Sequence, residues 1–282
     1  MGRFDRLPGI DEENTTRRNV LVGSGYVIGG FVVVGAIAGG GDDEPGNGEA
    51  TPTPDGTPTP GYTPTPDETP THDDTPTPVE HESGPLVSLQ TVNIEEWDPS
   101  YEVFSGNGQR VTDEFNLASV ATAALFEHDG NSNFIVRLLD DTGDSAELVI
   151  NEIGYIDGAR AFPTERGDYR LEINADGSWE ITLFQPLAPD EYVYTTPTEA
   201  SGVGYDVFGV AKLEGNHVVT GSHDGDSNFI VELIDEDASG AFGDTDLVFN
   251  EIGEFQGETH TNFEGYALLA VRADGNWSIE ID

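Results

Sequence analysis

The stretch His128-Asp-Gly-Asn-Ser-Asn-Phe-Ile-Val136 returns almost unchanged as His223-Asp-Gly-Asp-Ser-Asn-Phe-Ile-Val231. The echo extends on both sides. Asn151-Glu-Ile-Gly154 reappears as Asn250-Glu-Ile-Gly253, Ala175-Asp-Gly-Ser-Trp179 as Ala273-Asp-Gly-Asn-Trp277, and Ser105-Gly-Asn-Gly108 as Ser201-Gly-Val-Gly204. One module is therefore written twice, and each copy has only about 90 residues in which to bury a core, a size at which apolar packing suffices without cross-links. Two copies are too few for a solenoid or a propeller.

Inside each copy the apolar period is two. Tyr169, Leu171 and Ile173 alternate with polar residues, Asp176-Gly177 intervenes, and Trp179, Ile181 and Leu183 alternate again. This predicts a β-hairpin closed by a tight Asp-Gly turn, reproduced by Leu269 and Val271, Asp274-Gly275, then Trp277, Ile279 and Ile281. Phe134, Val136 and Leu138, matched by Phe229, Val231 and Leu233, give a further strand. No helical period occurs beyond residue 100. The fold class expected is all-β: two tandem antiparallel β-sandwich repeats, jelly-roll-like, over residues 97–188 and 189–282, as two beads joined near Pro186 to Asp190.

The formal charge is −43, from 54 Asp and Glu against 11 Lys and Arg, and Lys212 is the one lysine. Such a chain repels phosphate backbones, so nucleic acid is excluded as a partner. Acid excess with almost no lysine resembles the proteins of halophilic archaea. The resemblance implies an acidic skin whose self-repulsion is screened at molar salt, where the Debye length is about 3 Å. Cysteine is absent, which removes disulfides, thiol catalysis and lipidation at cysteine.

Ahead of the repeats the chain changes character twice. Residues 1–19 are polar with Arg3, Arg6, Arg17 and Arg18, and residues 20–38 are uncharged and apolar. Thr16-Arg-Arg-Asn-Val-Leu21 resembles a twin-arginine export signal. A helix over 20–38 would span about 28 Å, nearly a bilayer core, and Ala36-Ile-Ala38 would also suit cleavage. The reading adopted is a membrane anchor with the N-terminus in the cytoplasm, because arginines precede it and Asp42, Asp43 and Glu44 follow. Residues 39–96 are expected to be a disordered Thr/Pro-rich linker, extended at about 3.1 Å per residue and suited to O-glycosylation, like a mucin stalk.

Chemistry-bearing motifs are few. Asp129, Asn131 and Asn133, with Asp224, Asp226 and Asn228 in the second copy, alternate oxygen side chains as the opening of an EF-hand loop does, and form the candidate Ca²⁺ site. Phe134 and Phe229 stand where that loop needs glycine, so the competing reading is an Asx-type turn. His128-Asp129 and His223-Asp224 lack the further ligands of a metallohydrolase, and the expectation is a histidine held by a turn hydrogen bond. Trp179 and Trp277 are expected in the core, with sugar stacking as the alternative. Asn276-Trp-Ser278 fits the N-glycosylation pattern.

No nucleophile elbow, P-loop or dinucleotide fingerprint is present, so the function expected is non-enzymatic. It is an extracytoplasmic, membrane-anchored or secreted interaction or structural module, engaging an extracellular glycan or protein. The alternative is an extracellular hydrolase or its carbohydrate-binding part, with carboxylates as acid and base. An array should present equivalent surfaces in both copies, whereas an enzyme should concentrate its polar groups in one.

Overall fold

The computed structural model describes residues 81–237 and 245–282. The described chain is nearly all β, built as packed sheets. The first copy supplies β3 (Glu102–Asn107), β4 (Arg110–Val111), β5 (Phe115–Leu117), β6 (Ala121–His128), β7 (Asn133–Leu139), β8 (Ser145–Ile153), β9 (Ile156–Pro163), β10 (Gly167–Asn174) and β11 (Ser178–Phe184). One sheet runs β3-β11-β6-β9; the other runs β4-β10-β7-β8, with β5 also on β10. Alternate residues of both sheets meet in one core. Phe126, Trp179, Ile181 and Leu183 come from the first sheet, and Phe134, Val136, Leu171 and Ile173 from the second. The period-two pattern thus has its expected cause: one face of each strand leaves water, worth about 1.5–3 kcal/mol per large apolar side chain.

The second copy supplies β12 (Tyr194–Val203), β13 (Asp206–His223), β14 (Asn228–Asp235), β15 (Thr245–Ile252), β16 (Phe255–Arg272) and β17 (Asn276–Ile281). Its pairings run in the same order, but strands are fused at two places. β13 replaces β4, β5 and β6, β16 replaces β9 and β10, and the two pair from Asp206↔Val271 to His223↔Phe255, with a bulge between Phe208 and Ala211. The late half of β13 also pairs β17, which pairs β12, while the late half of β16 pairs β14, which pairs β15. In the first copy β9 stops at Pro163, which has no N–H to offer a ladder, and Thr164 closes the corner by donating to Ala118 O and Val120 O. Asn262 and Phe263 follow at the matching place and continue pairing.

Two expectations are corrected. The linker does not extend to residue 96: residues 81–96 belong to the folded body. β1 (Ser83–Pro85) lies parallel to β12, and β2 (Val87–Ser88) pairs β13, so the chain touches the second copy before it builds the first. A single helical turn, α1 (Ile94–Trp97), then follows; Leu89 is fully buried and Trp97 is 1% exposed. Apolar residues every few positions explain this order, and the Thr/Pro composition that argued for a linker ends before them. Residues 39–80 of that linker, like segments 1–19 and 20–38, lie outside the described residues; among the described residues no helix is long and apolar enough to cross a membrane.

The copies are not separate beads. Besides a core in each, a third cluster joins Leu89, Trp97, Leu125 and Phe184 to Val207, Val210, Ile234 and Leu268. Ala121 N–H donates to Glu236 O and Ala159 N–H to Tyr205 O, at 3.2 and 3.1 Å. Glu236 is buried, and its Oε1 accepts Ala188 N–H in the connecting segment at 3.0 Å. Tyr205 Oη donates to Glu152 Oε1 across the same seam at 2.5 Å; burial, and then that carboxylate, push its phenol above its ordinary range. Apolar residues turned outward from each sandwich made this seam, and periodicity cannot say which outward face finds a neighbour.

Candidate functional site

The duplicated motifs converge at one end of each sandwich. β6 ends at His128, the turn 129–132 follows, and the β10–β11 hairpin places Asp176-Gly177 against it. The two turns grip each other reciprocally. Asp129 Oδ1 accepts Ser178 N–H at 2.6 Å, while Asp176 accepts Asn131 N–H at 3.1 Å and Ser132 N–H at 3.0 Å. In the second copy Asp224 accepts Asn276 N–H at 2.7 Å and its Nδ2–H at 2.8 Å. Asp274 accepts Asp226 N–H at 3.1 Å and Ser227 N–H at 3.0 Å. These donors act on the carboxyl groups. The Asn131 and Ser132 amides hold Asp176 below its ordinary value; Asn276 does so for Asp224; and for Asp274 burial pushes upward but the Ser227 and Asp226 amides outweigh it.

Beneath the turns lies a buried histidine. His128 Nδ1 donates to Gly154 O at 2.8 Å and its ring stacks on Phe134 at 4.6 Å; His223 Nδ1 donates to Gly253 O at 2.9 Å and stacks on Phe229 at 5.0 Å. A carbonyl can only accept, so Nδ1 carries the hydrogen and Nε2 faces the turn aspartate. The separations are 3.4 Å to Asp176 Oδ1 and 3.2 Å to Asp274 Oδ1. Gly130 and Gly225 pass directly over this contact, and a Cβ on either would collide with the imidazole and the carboxylate. That is why the motif reads His-Asp-Gly.

The histidine has an outward consequence. Gly154 and Gly253, at φ 89° and 85°, turn the chain so that their carbonyls reach the buried ring. The preceding residues are left standing in solvent: Ile153 is 76% and Ile252 79% exposed. Upstream on the same strands, β8 and β15, each at the edge of its sheet, Leu148 and Leu247 are also exposed. Matching positions of both copies therefore show the same two aliphatic side chains. The sequence signal was present in the repeated Asn-Glu-Ile-Gly, but a strand residue beside a turn reads as inward or outward depending on register.

The predicted cation residues occupy the turns as follows. Asp129 and Asp224 use their oxygens on the amides of the opposite hairpin. Asn131 and Asp226 engage through their backbone N–H groups. Asn133 and Asn228 open β7 and β14, exposed, opposite Ile153 and Ile252. Among the described residues no group of three or more His, Cys, Asp or Glu is placed to hold a metal ion. Trp179 and Trp277 are both 3% exposed, donating to Gly108 O and Gly204 O at 2.9 and 3.0 Å, so neither offers a face to a sugar.

No protein-family model matches the chain, and no curated protein matches it. Among solved structures it is similar to a point mutant of Bacillus subtilis oxalate decarboxylase, at 8% identity and TM-score 0.19, covering 67% of this chain and 71% of that one. It is also similar to a cupin 2 conserved barrel domain protein from Leptotrichia buccalis, at 12% identity and TM-score 0.17, covering 64% and 88%. At these scores the likeness carries no argument.

Proposed function

We propose that the chain is an exported surface module of a halophilic archaeon. Residues 1–19 lie in the cytoplasm, 20–38 anchor it, the Thr/Pro stretch lifts it from the membrane, and two jelly-roll copies present one contact twice to a partner outside the cell. The observation that carries this reading is the matched exposure of Ile153 and Ile252 beside matched Leu148 and Leu247. An enzyme has no use for the same aliphatic pair at corresponding edges of two copies, whereas a bivalent binder gains effective concentration from it. The pairing order supports the jelly-roll assignment, since β3-β11-β6-β9 against β4-β10-β7-β8 is matched by the pairings of β12 to β17.

The chemistry of the contact favours a protein partner. Aliphatic side chains on edge strands complement another protein's apolar residues, while glycans are held by exposed aromatic faces; all three tryptophans are buried, and the exposed Tyr155 is replaced by Glu254 in the second copy, so no aromatic face is presented twice among the described residues. Burying one isoleucine on a partner is worth about 1.5–3 kcal/mol. The test of location is protease treatment of intact cells. The folded body is expected to be released or cleaved from outside while cytoplasmic proteins survive; full protection of the chain in intact cells, with cleavage after lysis, would overturn the reading.

A further inference from the structure

We propose that Asn276 is an N-glycosylation site, used in the second copy alone. The chain contains two Asn-x-Ser/Thr sequences, Asn14-Thr-Thr16 ahead of the apolar segment and Asn276-Trp-Ser278 at the start of β17. β17 alternates strictly: Asn276 and Ser278 are exposed on one face and Trp277 is buried on the other. The acceptor amide and the hydroxyl two residues on thus stand side by side toward solvent, fixed there by the indole packed beneath. Asn276 Nδ2 spends one hydrogen on Asp224 Oδ2 at 2.8 Å, which leaves its second N–H outward.

An independent observation concerns what lies beside that amide. Val203 pairs directly with Asn276 across the β12–β17 ladder and is 67% exposed. In the first copy the equivalent pair is Asn107 and Ser178, joined by a hydrogen bond of 3.2 Å. The position is polar and self-satisfied where no acceptor exists, and apolar where one does. A sugar on Asn276 would lie over Val203, and the carbon faces of a pyranose suit that surface.

The transfer balances with a lipid-phosphate-linked sugar as donor. Asn276 Nδ2 attacks the anomeric carbon and loses a proton, the carbon–oxygen bond to phosphate breaks, and the lipid phosphate leaves with the electron pair. The inference rests on the extracytoplasmic reading above, because such donors act on exported chains.

The test uses the full chain isolated from the cells that make it. Cleavage after Arg272 frees the peptide from Ala273 to Asp282, which carries the acceptor. Its mass is expected to rise by whole sugar units. The increment should vanish in Asn276→Ser, which installs the residue the first copy holds at that position, and in Ser278→Ala, and should persist in Ser278→Thr. A bare peptide from protein that added protease reaches on intact cells overturns the glycosylation and leaves the surface reading standing. A bare peptide from protein that protease cannot reach overturns both.

Discussion

Asp129 and Asp176 sit on two different turns and each accepts the backbone amides of the other's, at 2.6 Å from Ser178 and at 3.1 and 3.0 Å from Asn131 and Ser132. Asp224 and Asp274 repeat the relationship. At one end of each copy two turns distant in sequence are thereby locked together by aspartates that accept backbone amides, above a histidine stacked on phenylalanine.

That lock is acid-labile. Asp176, Asp224 and Asp274 are held below the ordinary 3.8 in the folded state, so their contribution is complete above the unfolded carboxylate value and is lost as pH falls through the depressed one. Thermal melts in high salt should show the midpoint falling as pH drops below about 4, and Asp176→Asn with Asp274→Asn should flatten that dependence. An unchanged acid slope in the double variant would remove these carboxylates from the account.

Replacing Ile153 and Ile252 with serine should leave the melting midpoint nearly unchanged, within about 0.5 kcal/mol, as surface substitutions do. The yield of partner protein crosslinked to the folded body on intact cells should fall at least tenfold, the equivalent of about 1.4 kcal/mol. Either single variant should lose less than the pair. An undiminished crosslinked product from the double variant would dissociate these side chains from binding.

Trp97→Ala should cost about 3–5 kcal/mol, as a large core truncation does. Since Trp97 packs in the cluster shared by both copies, the wild-type body should melt in one transition and the variant at a lower temperature with the copies uncoupled into two. Calorimetry distinguishes the cases; two transitions already in the wild type would mean that the seam does not couple them.

Salt and calcium separate two kinds of electrostatic support. Dialysis to low salt should abolish near-UV tryptophan ellipticity, because a formal charge of −43 loses its screening. EGTA at constant high salt should leave the midpoint unchanged, since Asp129 and Asp224 are engaged by amides of the opposite hairpin. A drop of several degrees with EGTA would instead make the turn oxygens cation ligands.

The strands of each copy were legible because Leu171, Ile173, Trp179 and Ile181 alternate without interruption, and the Asp-Gly hairpin announced its turn. The role of His128 as a ring held by a turn hydrogen bond was legible too. Its acceptor, Gly154, was not, because that pairing joins turns distant in sequence. Nor could periodicity place Trp97: a lone tryptophan just past a Thr/Pro stretch carries no period, and its burial depends on a surface made by both copies. Ile153 escaped notice for the converse reason, since an aliphatic residue in a strand is read as core until the register places it outside.

The entry of the chain through β1 has a mechanical corollary. Ser83, Gly84 and Pro85 lie parallel to the strand Tyr194–Val203, so in the anchored arrangement proposed above tension entering at residue 81 would reach the second copy before the first. β17, at the other end of the described residues, pairs that same strand, so loads applied at the two ends would meet in one sheet, and the burial of Leu89 and Trp97 holds the entering segment in place.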